Sequence, residues 1–352
     1  MIVFSADLHL SPTIWTDQPA LRGDAYFAWH QIVAYCLKHK PSALILGGDV
    51  WDRSRPDPES VVVFTKAIDK LAAADIRVLA IQGQHERAST PWTDVNEHIT
   101  YIGDGKPRLI DDDLGAVKIC GFDCQSATTL KPLVEQADCD ILVIHQLARQ
   151  LLNTNSNFAW DFDETWATDR VRLILAGDYH TAVNKGRMYY SGSTHMRSID
   201  ERTPRFFLVV GSGFKVANIP LKQRPVITVT VLDESQLQEA IDTITDFKAA
   251  ADIPAAIRIP VVYARISSEV ANVASALQAV CGDKYLKLKI LGGGTQVVTP
   301  AELPAGHVTL ESCLDQAVDR LTDPELYDFV LLLLKSKTPK SVCEETRARL
   351  GI

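Results

Sequence analysis

Through the first 210 residues, short apolar runs alternate with longer stretches in which apolar positions recur at helical spacing. Ile2–Ala6, Ala43–Leu46 and Arg77–Gln82 predict strands, and Asp24–His39 and Pro58–Ala74 predict the helices between them. Strand, helix, strand at this spacing implies a layered α/β sheet. Further strands are expected at Val117–Phe122, Ile141–Ile144, Leu173–Ala176, Met188–Ser191 and Phe206–Val210. Leu151–Asp169 interrupts the pattern. It is polar, rich in Asn and carries Trp160 and Trp166, and so long a loop in a compact domain is usually functional or mobile.

Around Pro220–Pro225 the texture changes. Val226–Leu232, Arg258–Ile266 and Tyr285–Ile290 read as strands, with helices Ser235–Ala251 and Glu269–Val280 between them. That β-α-β-α-β order suggests a small α+β domain. From about Leu310 the pattern predicts short amphipathic helices, including Pro324–Lys335 and Pro339–Leu350. The expected organisation is residues 1–222, 223–305 and 306–352 as a catalytic domain, a smaller α+β domain and a helical tail. A chain of 352 residues accommodates a large domain and a smaller one.

Composition narrows the class. Hydrophobic residues make up 46% and charged residues 23%, which suits a soluble protein with a sizeable core. The longest apolar run, Phe329–Leu334, is far short of the roughly 20 residues that span a bilayer. The opening MIVFSADLHL lacks a basic leader and a small-residue cleavage site, so it reads as a strand. Seven scattered cysteines with no CxxC pair point to reduced thiols in a cytoplasm, and against both a disulfide framework and a zinc ribbon. The formal charge of −8 repels phosphate, so any nucleic acid must meet local basic patches, bound cations or a basic partner.

Five short patterns follow strand ends: Asp7-Leu8-His9, Gly48-Asp49-Val50-Trp51-Asp52, Gly83-Gln84-His85-Glu86, Ile144-His145-Gln146 and Gly177-Asp178-Tyr179-His180. Loops beyond the carboxyl ends of strands are where α/β sheets collect ligands. Carboxylate, imidazole and amide donors suit divalent metals such as Mn²⁺. An Asp shared by two ions would hold them about 3.5–4 Å apart, the geometry for in-line attack on a phosphate ester. Singly, each pattern is ordinary: a turn at Gly177-Asp178, a buried core imidazole at His145. Five in order, all at strand ends, make a metal site.

The order DxH, GDxxD, GNH[DE], H, GHxH is the signature of the calcineurin-like metallophosphoesterases, and this chain resembles their SbcD-type nuclease branch. Tyr190-Ser191-Gly192-Ser193-Thr194, Asp200-Glu201 and Ile219-Pro220-Leu221 running into Arg224-Pro225 resemble further segments of that branch. The resemblance covers roughly residues 1–230 and implies a layered metallophosphoesterase β-sandwich flanked by helices, followed by a DNA-capping α+β domain at 223–305 and C-terminal helices. It assigns one metal to Asp7, His9, Asp49 and His180, and a second to Asp49, Gln84, His145 and Asp178, with Asp49 bridging. It places His85 beside the scissile phosphate, as transition-state stabiliser or proton donor. Asp52 falls where an orienting residue would sit. Two positions depart from the pattern: Gln84 replaces the usual Asn, and Asp178 the first His of GHxH. With Asp178 as a ligand, three carboxylates leave two divalent ions a net charge of about +1 rather than about +2. The second site is then expected to prefer Mg²⁺ or Mn²⁺ over softer ions.

The resemblance implies a Mn²⁺-dependent exonuclease on duplex ends and endonuclease on single strands or hairpins, in DNA repair or recombination. Its implied partners are DNA, an SbcC-like coiled-coil ATPase docked on the C-terminal helices, and a second copy in a homodimer; its place is the cytoplasm of a bacterium or phage-infected host. The alternatives are a small-molecule phosphodiesterase or phosphatase, and a catalytically weakened scaffold that binds DNA ends. Arg53, Arg55, Arg197 and Arg202 cluster near the motifs as candidate phosphate contacts, equally readable as a solvated basic face. His195, close to the Gly-Ser segment, is a further candidate DNA contact, with a structural role the more natural reading, and Trp160 and Trp166 could stack on bases or, more simply, pack their loop. Gly292-Gly293-Gly294 lacks a dinucleotide-site context.

Overall fold

The computed structural model describes residues 1–13, 21–86, 91–112, 115–151, 160–198, 201, 203–270, 273–282 and 284–291. All of these lie within one compact unit, Met1–Gly292. In chain order the first elements are β1 (Ile2–Ser5), α1 (Asp24–His39), β2 (Ala43–Gly47), α2 (Pro58–Ala72), β3 (Arg77–Ile81), β4 (Ile99–Tyr101), β5 (Arg108–Asp112) and β6 (Gly115–Phe122). Next come α3 (Ala127–Glu135), β7 (Ile141–His145), β8 (Leu173–Gly177), β9 (Val183–Lys185), β10 (Met188–Tyr190), β11 (Arg205–Val210) and β12 (Val216–Leu221). The last are β13 (Val226–Val231), α4 (Leu237–Asp246), α5 (Ala255–Arg258), β14 (Val261–Ser267), α6 (Val273–Cys281) and β15 (Tyr285–Leu291).

Two six-stranded sheets, in the orders β12-β11-β1-β2-β3-β4 and β5-β6-β7-β8-β10-β9, form the sandwich. Strands β2, β7 and β8 (ALILG, ILVIH, LILAG) are buried along their whole length, as expected of parallel strands covered on both faces. Between the sheets, Phe4, Ile45, Leu79 and Ile81 meet Val117, Ile119, Ile141, Val143 and Leu175. The outer face of the first sheet packs on Trp29, Ile32, Phe64 and Ile68 of α1 and α2, and the outer face of the second on Leu130 and Val134 of α3. The fold class is therefore the expected one, a mixed α/β sandwich flanked by helices. A third sheet, β13-β14-β15, is wholly parallel and packs on α4 and α6.

Helix α1 and the strands carrying the five motifs form within a residue or two of their predicted limits. Strands β4, β5, β9 and β12 were not foreseen; they are the four edges of the two large sheets. Helix α3 was also missed, with Pro132 inside it. Helix α4 stops at Asp246, short of the expected Ala251, because Phe247 turns extended. The strand expected from Arg258 begins only at Val261, since Ala255–Arg258 closes a helical turn and Ile259, before Pro260, is extended. The expected tail helices, Gly292-Gly293-Gly294 and Arg202 lie outside the described residues. Among the described residues no helix is long and apolar enough to cross a membrane.

Candidate metal centre

Parallel pairing of β1, β2 and β3 in one sheet, and of β7 and β8 in the other, brings five loops together at the strands' carboxyl ends. The turns there are tight. Asp7, His9, Asp49 and Asp178 all hold left-handed backbone, with φ of 52°, 41°, 50° and 84°. Such conformations cost about 1–3 kcal/mol each in a non-glycine residue and cluster at functional sites. Backbone bonds hold them: Asp7 N donates to Gly48 O at 3.1 Å and His9 N to Asp49 O at 2.9 Å. A Cβ on Gly83 would lie 2.0 Å from Asp49 Oδ1, so only glycine lets this loop approach.

Asp7, Asp49 and His145 are fully buried, and His9 is 1% exposed. Asp7 Oδ1 faces the Nε2 atoms of His145, His9 and His180 at 3.8, 3.9 and 3.9 Å. Asp49 Oδ2 faces those of His145, His9 and His85 at 3.5, 3.8 and 3.8 Å. Three ligand triads result: Asp7-His9-His180, His9-Asp49-His85 and Asp7-Asp49-His145. Ligand atoms bound about 2.1 Å from one ion stand roughly 3–3.5 Å apart, so modest closure would fit these groups round a cation. Asp49 Oδ2 and His145 Nε2 are buried with no hydrogen-bond partner among the described residues, a costly state that a metal ion relieves. The electrostatics agree. Burial opposes charge on His145, yet Asp49, Asp7 and Asp178 outweigh it and lift the imidazole to about 10. Burial lifts Asp7 to about 6. The residues present thus suit divalent cations.

Neighbours fix which nitrogen each imidazole presents. His145 Nδ1 donates to Gly47 O at 2.6 Å, turning Nε2 inward. His180 Nδ1 lies 3.2 Å from Glu201 Oε1, and Glu201 is held by the Arg197 amide at 3.1 Å and by buried Arg205 at 3.1 Å. Burial opposes Glu201's charge, but these donors hold its carboxyl down near 2. Such partners orient ligands and raise their basicity. His85 Nδ1 donates to the Asp52 carbonyl at 2.7 Å, leaving the half-exposed Nε2 toward Asp49. The Asp52 carboxylate pairs with Arg197 Nη2 at 2.5 Å, and Arg197 Nη1 lies 3.2 Å from His9 Nε2. Glu86 fastens two motif loops, accepting from Gly83 N at 2.9 Å, Trp51 N at 3.0 Å and Val50 N.

Asp7, His9, Asp49, His85, His145 and His180 therefore converge. Gln84 and Asp178 are placed differently, on the rim and bonded to each other, with Gln84 Nε2 donating to Asp178 Oδ1 at 2.7 Å. Asp178 enters none of the triads; its carboxylate sits on a shorter stem than an imidazole, while the longer Gln84 stem reaches across to it. Arg53 and Arg55 are exposed on the loop after Asp52. Arg197 and His195, with His9, Asp52, His180 and Glu201, line a cavity of about 180 Å³, although His195 itself is 1% exposed. Trp160 is partly exposed beneath Arg149 at 5.6 Å, and Trp166 packs beside it. Sequence reasoning gave no role to Arg205, which also donates to His180 O at 2.7 Å and Ser193 Oγ at 2.8 Å. A lone Arg opening a strand carries no signal of that duty. Nor did it foresee that Tyr190 pins the loop after His145, donating to Gln146 O at 2.8 Å.

Comparison with known proteins gives two findings. The profile of the calcineurin-like phosphoesterase family matches residues 1–212. The chain is also similar to proteins named DNA double-strand break repair protein Mre11. That of Methanosarcina mazei is 25% identical over 272 residues, covering 70% of this chain and 42% of the relative. That of Haloferax volcanii is 28% identical, covering 59% and 48%, and that of Methanocaldococcus jannaschii 22% identical, covering 76% and 77%. The chain thus spans less than half the length of the first two relatives.

Proposed function

The chain belongs to the calcineurin-like phosphoesterase family, and from that premise we propose that it is a metal-dependent DNA nuclease of the SbcD type. The reading takes duplex-end exonuclease and single-strand or hairpin endonuclease action as its activities. Its partners are DNA, an SbcC-like coiled-coil ATPase and a second copy of the chain, in a cytoplasm. Residues 1–222 would be the nuclease domain, 223–305 the capping domain and 306–352 the ATPase-docking segment. The observation that carries the reading is the convergence of Asp7, His9, Asp49, His85, His145 and His180 from five strand ends into shared ligand triads. Similarity to Mre11 proteins of three archaea supports DNA as the substrate.

Asp7, His9, Asp49 and His180 would hold one ion; Asp49, Gln84, His145 and Asp178 would hold the other, most suitably Mn²⁺ or Mg²⁺. Divalent ions bound there supply Lewis acidity toward a phosphoryl oxygen and a nucleophile at neutral pH. The protein's own contribution is alignment. Glu201 and Gly47 O turn His180 and His145 inward, and Asp52 O fixes the His85 ring. With Nδ1–H spent on that carbonyl, His85 Nε2 is the atom left facing the substrate, and it is the imidazolium form, carrying a proton on Nε2 as well, that would donate to a phosphoryl oxygen or protonate the leaving oxygen. Arg197 supplies a cation beside His9 for a substrate phosphate.

The test is cleavage of end-labelled duplex and hairpin DNA with Mn²⁺. Wild type is expected to cut, EDTA to abolish cutting, and His85→Ala to slow it by about 10²–10⁴-fold while still binding metal. Hydrolysis of a chromogenic phosphodiester without DNA cleavage would replace this reading with a small-molecule phosphodiesterase. No hydrolysis of either, even with the ATPase and ATP, would leave a DNA-end scaffold.

A further inference from the structure

Arg197 touches the centre at an atom that an ion also needs. Its Nη1 lies 3.2 Å from His9 Nε2, and its Nη2 pairs with Asp52 Oδ1 at 2.5 Å. A guanidinium has only N–H groups to offer, so His9 meets it with a lone pair. The rest of the ring agrees. His9 Nδ1 faces Asp52 Oδ1 at 3.9 Å, the place for the single proton of a neutral imidazole. Burial first, then the charges of Arg197 and His180, hold His9 well below the usual histidine range. His9 Nε2 also faces Asp49 Oδ2 at 3.8 Å, Asp7 Oδ1 at 3.9 Å and His180 Nε2 at 3.3 Å. The same nitrogen is thus the first ion's ligand and the acceptor for Arg197.

A neutral imidazole has one nitrogen with a lone pair in the ring plane, and a metal bond uses that pair. An ion that binds His9 must therefore take it from Arg197. Charge adds to the exclusion, since a divalent ion and a guanidinium on one buried imidazole repel. Arg197 has room to yield. Its side chain is 28% exposed, and it lines the cavity of about 180 Å³ together with Ser11, Thr13 and His195. Its backbone is anchored, because Arg197 N donates to Glu201 Oε2 at 3.1 Å. Asp52 holds the other arm of the fork. Rotation about that bond carries Nη1 off His9 and into the cavity.

We propose that Arg197 and the first metal ion exchange places on His9 Nε2, and that the arm so released binds the phosphate of the substrate ester. This deepens the phosphoesterase reading and rests on it for the metal and the ester. The chemistry suits the second role. With Nη2 kept on Asp52, Nη1 presents a charged N–H donor, and such bonds to phosphate oxygens are short and strong. Asp52 is then a positioning residue that acts through Arg197. The exchange also makes phosphate binding conditional on the metal, because an arginine bonded to His9 has no arm free for the substrate.

The test titrates Mn²⁺ into the full chain as wild type, Arg197→Gln and Arg197→Lys, following the free ion by electron paramagnetic resonance. Loss of the competitor is expected to tighten Mn²⁺ binding in Arg197→Gln about tenfold or more. Lys keeps the charge but lacks the fork that spans Asp52 and His9, so Arg197→Lys is also expected to bind Mn²⁺ more tightly than wild type. Equal or weaker affinity in Arg197→Gln would overturn the exchange. So would a Lys variant that matches wild type, because charge alone would then account for the gain. The phosphate role is read at saturating Mn²⁺, where KM for a chromogenic phosphodiester is expected to rise about tenfold in Arg197→Gln; an unchanged KM would overturn that role. Crystals of wild type grown with EDTA and with Mn²⁺ need no variant. Nη1 is expected to leave His9 Nε2 when the ion arrives, and an ion on His9 with Nη1 still bonded there would overturn the exchange. A wild type that binds no Mn²⁺ sinks the metal reading itself. One that binds Mn²⁺ and hydrolyses the diester, with all three titrations alike, sinks the exchange alone.

Discussion

Several residues round the centre have environments that proximity in sequence does not disclose. His195 stands one residue beyond the Tyr190–Thr194 segment, yet it is buried and its Nε2 has no partner among the described residues. Burial first, then the charges of Arg197 and Arg205, push it down to about 3. Its folded value lies below its unfolded value, so the neutral ring contributes stability above about pH 6.5 that is lost as pH falls toward 3. With EDTA present, His195→Gln is expected to flatten the loss of unfolding free energy between pH 6 and 4 by up to about 1.4 kcal/mol per pH unit. Denaturant titrations at several pH values measure it; parallel slopes for the two proteins would contradict it. Gln84 and Asp178 were legible as departures from a motif, but not as each other's partners. Their bond joins residues 94 positions apart across two loops, and no local pattern encodes that.

At the scale of elements, legibility followed burial. Central strands such as β2, β7 and β8 are unbroken apolar runs, and the five motifs that follow strands were readable for the same reason. The four unforeseen edge strands carry what edges usually carry: Pro220 in β12, charges in β5 (RLIDD), and only three residues in β4 and β9. Periodicity overran helix α4 because the residues after Asp246 are held by tertiary bonds instead, with Arg258 donating to Ala251 O at 2.8 Å. One such bond joins elements far apart in sequence. Arg224, 2% exposed just before β13, forks onto Asp24 at the start of α1 at 2.9 and 2.7 Å, and reaches Ile259 O at 2.9 Å and Arg22 O at 3.1 Å. Breaking one side of a buried pair costs about 3–5 kcal/mol. Arg224→Ala is expected to lower the melting temperature by roughly 6–20 °C, read by calorimetry. A change within a degree or two would mean that the pair contributes little to the fold.

Across the whole molecule, the sandwich sets two rows of parallel strand ends facing one another, and the small sheet adds an apolar face that α4 and α6 cover over β13 and β14. The account rests on the convergence of carboxylates and imidazoles being a metal centre. The most direct test is an anomalous-scattering map from crystals grown with Mn²⁺. The account predicts two peaks about 3.5–4 Å apart, one among Asp7, His9 and His180, the other beside His145, with Asp49 between them and Gln84 and Asp178 drawn toward the second. A single peak, or peaks away from Asp49, would contradict it.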